Sequence, residues 1–400
     1  MTRSGLFLLA LLLGPPAQAQ SPAQQWVSDC LATPSRECAL RTALRVTADE
    51  ELAIERAKVL LALADSFRVI GAEQRAVEAL SLAAKEARDI GISIGTEQHF
   101  VEIAGLYGAM GRQDAADRII TEIEDRILRA RARGEAALGL LRAGRAEASA
   151  ALLTAIEVPA IAQEYALRAA EYLVRAEGQT DPGPALAAAD TLLNGNAQRF
   201  YRELGQLRLA TALARAGRAE DAQAIRAGID VSLDRSLPPD FRAELLAGLA
   251  RLDIALGDRE AATRNLTAAT RWLRRSTVTY DRNRALGVVA AAALAADQRD
   301  LVARLAEDVE DLTARTRLID TLAPAITTSQ DRALLVDLAR QTLPLIDALE
   351  GRFERDQARY DLVTALIDAG AGQAAAEIIA AIEDDDQQAR ALAYLARLLS

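Results

Sequence analysis

From about residue 51 to the C-terminus, apolar positions recur at spacings of three and four, the period of helices with one buried face. Within that pattern one phrase repeats. A large apolar residue is followed by a small one, an apolar residue stands four before a turn glycine, and an alanine stands five after it. The first copy reads Leu63-Ala64, Phe67, Gly71, Ala76, and the second Ile103-Ala104, Tyr107, Gly111, Ala116. Next come Ala136-Ala137, Leu140, Gly144 with Ser149 in place of the alanine, and Leu209-Ala210, Leu213, Gly217, Ala222. Leu249-Ala250, Gly257, Ala262 follow. Val289-Ala290 leads into a copy with Asp297 for the glycine and Val302 for the alanine, and Leu362-Val363, Leu366, Gly370, Ala375 complete the series. Weaker turns fall near Gly178 and near Ser329-Gln330-Asp331.

Successive turns lie roughly 33 to 40 residues apart, room for two helices and two short connections. Each glycine is expected to end a first helix in the left-handed conformation, which only glycine adopts without strain. Beyond it a second apolar stripe appears, as in Ile120 and Ile123, Leu153 and Ile156, Leu266 and Ala269, Ile379 and Ile382. One such pair cannot bury its apolar face alone, so neighbours must stack. Alanine-rich helices suit this, because alanine loses little side-chain entropy on folding. The segment from Gln387 to Ser400 reads as one more helix with no partner after it, a terminal cap. Loops at 178–184 and 236–240 read as bends of the stack rather than domain boundaries.

The large-small pair, the apolar residue four before the glycine, the glycine and the following alanine resemble the tetratricopeptide family of helix-turn-helix repeats. The resemblance spans about residues 51–400. It implies an all-α fold, a right-handed superhelix of about nine helix-turn-helix repeats whose first helices line a concave face. The sequence departs from that family in unit length, in the closing proline, which is mostly missing, and in ring-packing aromatics, present only as Phe67 and Tyr107. Other two-helix solenoids, such as HEAT-type repeats, remain the alternative. On the implied concave face Arg68, Arg142 and Arg215 lie two or three residues before their turn glycines. There they are candidates to hold a partner's carboxylates bidentately. The other reading of each is a solvated arginine paired with a neighbouring acid. Small residues at Gly105, Gly108, Ala109 and Ala214 are expected to leave room for the partner.

Ahead of the repeats, Arg3, the apolar run Leu6–Leu13, the break Gly14-Pro15-Pro16 and Ala17-Gln18-Ala19 form the pattern of a cleaved secretory signal. Residues 1–19 are the expected leader, 20–50 an N-terminal helical hairpin, and 51–400 the solenoid with its cap. Eight apolar residues are too few for a span that needs about 20, and no later run suggests one. The expected compartment is periplasmic or extracellular. There, the even pair Cys30 and Cys38 favours a disulfide. Thr33-Pro34 reads as a helix start, so Cys30 ends one helix, Cys38 opens the next, and the bond staples a hairpin.

Composition narrows the chemistry. Alanine accounts for 87 of 400 residues and aromatics for 4%. The net charge is −10, or −11 once Arg3 leaves with the leader, which repels nucleic acid and anionic membranes on average. His99 is the single histidine; Thr96 looks like an N-cap that places it in a first helical turn. One histidine disfavours histidine-ligated metal sites and triads, and no phosphate loop or calcium loop occurs. No cofactor and no metal are expected. Glu383-Asp384-Asp385-Asp386 reads as a solvated helix cap. The function that follows is a non-enzymatic interaction scaffold or adaptor of the bacterial envelope, binding a protein or extended peptide on its concave face. The alternative is a protein acting on cell-wall glycan, against which the scarcity of aromatics for stacking sugars counts.

Overall fold

The computed structural model describes residues 21–50, 52–91, 94–175, 183–194, 199–229, 237–309, 311–326 and 328–399. The expected leader and the weak turn near Gly178 lie outside the described residues. Among those described, all regular elements are helical, so the chain is an all-α helical solenoid. A hairpin comes first, α1 (Pro22–Ala32) and α2 (Arg36–Asp49). The pairs that follow begin with α3 (Ala53–Val69) and α4 (Glu73–Ile90), α5 (Ile94–Ala109) and α6 (Gln113–Glu122), and α7 (Arg126–Arg142) and α8 (Ala146–Thr154). Next are α9 (Pro159–Arg175) and α10 (Gly183–Asn194), α11 (Arg199–Arg215) and α12 (Ala219–Ala227), and α13 (Pro239–Ala255) and α14 (Arg259–Leu273). The last pairs are α15 (Thr279–Ala295) and α16 (Arg299–Glu307), α17 (Leu312–Leu322) and α18 (Ser329–Asp347), and α19 (Arg352–Asp368) and α20 (Gly372–Ile379). A final helix, α21 (Asp385–Leu395), follows.

The repeated phrase has the expected geometry. Gly71, Gly111, Gly144, Gly217, Gly257 and Gly370 all have φ between 71° and 83°, and Asp297, which stands in for glycine, has φ 62°. Ala76, Ala116, Ala222, Ala262 and Ala375 are buried, as are their replacements Ser149 and Val302. The small residues at 105, 108 and 109 serve a purpose other than the expected one. A Cβ on Gly108 would lie 2.3 Å from the carbonyl oxygen of Ala136, and one on Gly139 2.4 Å from the amide nitrogen of Ala109. They let the backbones of α5 and α7 touch, so that space is filled by the neighbouring helix and leaves no room for a partner.

Odd-numbered helices from α3 to α21 each pack on the next odd one, while even-numbered helices touch mainly the odd helices on either side. The odd helices are therefore an inner layer and the even ones an outer layer. The series does not end in a cap. α21 packs on α19 on one side and on α3 on the other, and α2 covers its back as the even helices cover theirs. The solenoid thus closes into a ring of ten inner helices, and the expectation of an unpartnered last helix is corrected. Without a neighbour, the buried faces of both α21 and α3 would meet water, and each satisfies the other. The N-terminal hairpin is part of this closure. The Ser21 hydroxyl donates to Asp385 at 2.9 Å, Gln24 to the Glu383 carbonyl at 2.9 Å, and Arg36 to the Ala396 carbonyl at 3.4 Å.

Two local expectations also shift. α2 is capped by Ser35, whose hydroxyl accepts from the Cys38 amide, while Thr33 closes α1. Pro34 biases the residue before it away from helix, which explains the order. Cys30 and Cys38 are bonded, with Cα atoms 5.7 Å apart. Thr96 lies inside α5, its hydroxyl donating to the Gly91 carbonyl, so His99 sits in the second turn and is buried.

Candidate functional site

Each inner helix is covered on both flanks and at its back, so its remaining accessible stripe faces the interior of the ring. Ten helices spaced 8–10 Å apart and about 10 Å wide enclose an opening of roughly 15–20 Å. A 17-residue helix such as α7 makes that wall about 25 Å tall. Counting back from the turn residues gives the stripe a common register. Glu102, Glu135, Arg208, Gly248, Val288 and Asp361 all stand nine positions before their turn residue.

The stripe is charged, and its charges link neighbouring inner helices. Glu135 on α7 accepts from the Tyr165 hydroxyl and from Arg168 on α9, both at 2.8 Å. Burial, then the nearby Glu135 carboxylate, raises the Tyr165 pKa. Arg208 on α11 donates to Glu171 at 2.9 Å and to Glu164 at 2.7 Å on α9. Burial opposes its charge, but the two carboxylates outweigh burial and raise its pKa. On α13 and α15, Glu244 pairs with Arg284 at 3.0 Å. Desolvation, offset in part by Arg284, lifts Glu244 to about 7.

Where the ring closes, Arg390 lies 4.3 Å from the centre of the Tyr360 ring, and Tyr360 and Tyr394 are 6.3 Å apart. Glu102 is open to water yet deep in the ring, and desolvation raises its pKa against the pull of Arg390. His99, near Lys58 and Arg390, is held below its ordinary pKa by burial first and by those cations second. Beside this closure, Asp361 and Asp368 on α19 are exposed with pKa values raised by desolvation and by Asp320 on α17. Among the described residues, no group of three or more His, Cys, Asp or Glu side chains could hold a metal ion.

The three arginines singled out from sequence do not form one row. Arg142 and Arg215 stand two positions before their glycines and are exposed on the inner stripe. Arg68 stands three before Gly71, is half-buried, and donates to Asp65 at 2.6 Å on its own helix. One residue of offset turns it about 100° away from the row. Arg131, which the sequence reading passed over, shares the stripe of Arg142 and is exposed. The acid run is only partly a solvated cap. Asp384 caps α21 by accepting from the Gln387 amide, but Asp386 is buried, and burial together with Glu50 pushes it up to about 8.

No protein-family model and no curated protein matches this chain. Among solved structures, Ton1535 from Thermococcus onnurineus NA1 aligns at 14% identity and TM-score 0.28, over 94% of this chain and 99% of that one. The monomeric mutant of IFIT1 with Gppp-AAAA aligns at 14% identity and TM-score 0.28, over 90% and 78%. A circular tandem repeat protein aligns at 16% identity and TM-score 0.20, over 93% of each. The solenoid assignment rests on this chain's own packing. No helix among the described residues is long and apolar enough to cross a membrane.

Proposed function

We propose that the chain is an exported, non-enzymatic binding protein of the bacterial cell envelope, and that its repeats are of the tetratricopeptide kind. It holds a protein or peptide segment against the inner wall of the ring. The observation that carries this reading is the accessible, charged stripe shared by successive inner helices, with Arg131, Arg142 and Arg215 exposed on it. The leader pattern at residues 1–19 supports export, and N-terminal sequencing of protein from the native host is expected to begin at Gln20. An uncleaved Met1 species in the membrane would count against export.

The binding reading is tested by charge reversal on each face. Replacing Arg131, Arg142 and Arg215 by Glu is expected to abolish capture of the native partner with little change in melting, since exposed charges contribute little to stability. Replacing the exposed outer-layer residues Arg264, Arg271 and Arg304 by Glu is expected to leave capture intact. The opposite pattern would place the partner on the outside. One observation favours action on glycan as a second reading. Tyr201, Tyr280 and Phe353 stand exposed near the starts of α11, α15 and α19, around one mouth of the ring, where sugars can stack. Binding to murein that survives the inner-face reversal but is lost on replacing these aromatics by Ala would favour it.

A further inference from the structure

We infer that the segment held by the inner wall is acidic and is anchored by one bulky apolar side chain; this rests on the proposed binding of polypeptide inside the ring. The geometry points to a pocket of about 160 Å³ in the wall, shared by α9, α11, α13 and α15. Val174, Leu204, Leu207 and Val288 supply its apolar lining. Gly248, nine positions before its turn glycine, keeps the lining open where α5, α7 and α11 carry Glu or Arg in that register. An apolar cavity of about 150 Å³ in a protein interior accommodates a benzene ring, so this pocket fits one leucine- or phenylalanine-sized side chain.

Its rim is cationic. Arg208, Arg215 and Arg251 line the same pocket, against the single carboxylate of Glu171, which is already bonded to Arg208. The surroundings extend that sign. On the inner stripes of α7 to α13, Arg131, Arg142, Arg168, Arg208, Arg215 and Arg251 outnumber Glu135, Glu164, Glu171 and Glu244. The chain as a whole has a charge of −10, so a cationic arc is not what its composition would scatter there. Across the ring Asp320, Asp361 and Asp368 stand beside Arg317 and Arg390, so that wall is of mixed sign. A concave wall with an excess of one sign concentrates ligands of the other. An apolar pocket within such an arc recognises an apolar residue flanked by carboxylates, with each carboxylate able to take a guanidinium in a two-pronged bond.

The test uses the intact protein and fluorescein-labelled twelve-residue peptides read by anisotropy. The parent peptide is rich in Glu with a central Leu. Its partners replace that Leu by Ala, the Glu residues by Gln, or the Glu residues by Lys. The parent is expected to bind at least tenfold more tightly than either the Ala or the Gln version, the Lys version not to bind, and the affinity of the parent to fall steeply with salt. Arg215→Glu with Arg251→Glu is expected to lose the parent peptide, whereas Asp368→Asn on the far wall retains it. Equal binding of the four peptides, no binding of the parent at 1 mM, or unchanged affinity in the double variant each overturns the inference. If partner capture still depends on Arg131, Arg142 and Arg215 while these peptides fail, the wider binding reading stands and this one falls.

Discussion

Arg397, three residues from the C-terminus, donates to the carboxylate of Asp65 across 332 positions of sequence. Beside it the Ser66 hydroxyl donates to the Ala393 carbonyl. Asp65 also accepts from Arg68 on its own helix, so one carboxylate is shared between the first inner helix and the last turn of the chain. These bonds join α3 to α21 and fix the register of their contact.

The closure is expected to be worth a measurable part of the stability. Both partners of the Asp65–Arg397 pair are 17% exposed, between a surface bridge and a buried one. Replacing either by Ala is expected to cost about 2–3 kcal/mol, lying between those two limits. A double-mutant cycle measured by denaturant unfolding would give the coupling. Deleting residues 385–400 is expected to raise the radius of gyration in X-ray scattering, because α2 and α3 then lose the helix between them and α19.

Stability should fall as pH rises from about 4 to 8. Burial and the Glu50 carboxylate hold the Asp386 proton up to about 8, and desolvation holds that of Glu244 up to about 7. The unfolded chain releases the same protons near 4. In that window the folded state binds more protons than the unfolded state, so the slope of unfolding free energy against pH is negative. It flattens above the folded values. Thermal melts at constant ionic strength are expected to show a higher midpoint at pH 5 than at pH 8. Asp386→Asn should reduce that difference, and adding Glu244→Gln should reduce it further.

Two kinds of glycine should respond differently to alanine. Gly108→Ala drives a Cβ to 2.3 Å from the Ala136 carbonyl oxygen, forcing α5 and α7 apart, at about 1–3 kcal/mol for overpacking or more. Gly217→Ala meets no atom within 4 Å, and its cost of about 1–2 kcal/mol comes from φ +79° alone. Melting would rank them, and a suppressor such as Ala136→Gly should not rescue Gly108→Ala, because the clash is with backbone.

The Cys30–Cys38 bond closes a short loop and is expected to contribute about 2–3 kcal/mol by chain entropy. Replacing both cysteines by Ser should lower the unfolding free energy by that amount, and the melting midpoint with it, without changing helical content. Two free thiols under denaturing, non-reducing conditions in protein from the native host would contradict the bond.

The repeat was legible because its signals are local: a glycine or Asp297 forced to positive φ, an alanine five residues later, and an apolar pair before it. Ring closure was not legible. A contact between residues 65 and 397 leaves no periodic trace, and the apolar faces of α3 and α21 look like any other unit's. Helix-to-helix contact at Gly108 and Gly139 carries the same small-residue signature as an open groove, which is why the sequence alone misplaced it. Two features could have been found by counting. Buried Glu97 and Asp356 both stand fourteen before their turn glycines. Each accepts backbone amides just ahead of the next inner helix, Glu97 from Glu124 and Asp125, and Asp356 from Glu383 and Asp384. The inner stripe is likewise a fixed count, nine and thirteen before the turn residue, and Glu135 and Arg131 fall out of it once α7 is numbered back from Gly144.

Closure also dictates how anything gets inside. The final stave, α21, emerges last, and until it docks and residue 397 reaches residue 65 the stacked repeats form an open trough. During that interval a passing strand of any topology can be laid along the wall from the side. Once shut, the ring lets a strand pass right through only if it has an end to thread through a mouth. A guest enclosed before α21 docks and a guest offered afterwards are therefore different experiments. A circular ligand would be found strung through the ring only if it was present before α21 docked, or if the seam at α3 and α21 unlatched to let it pass.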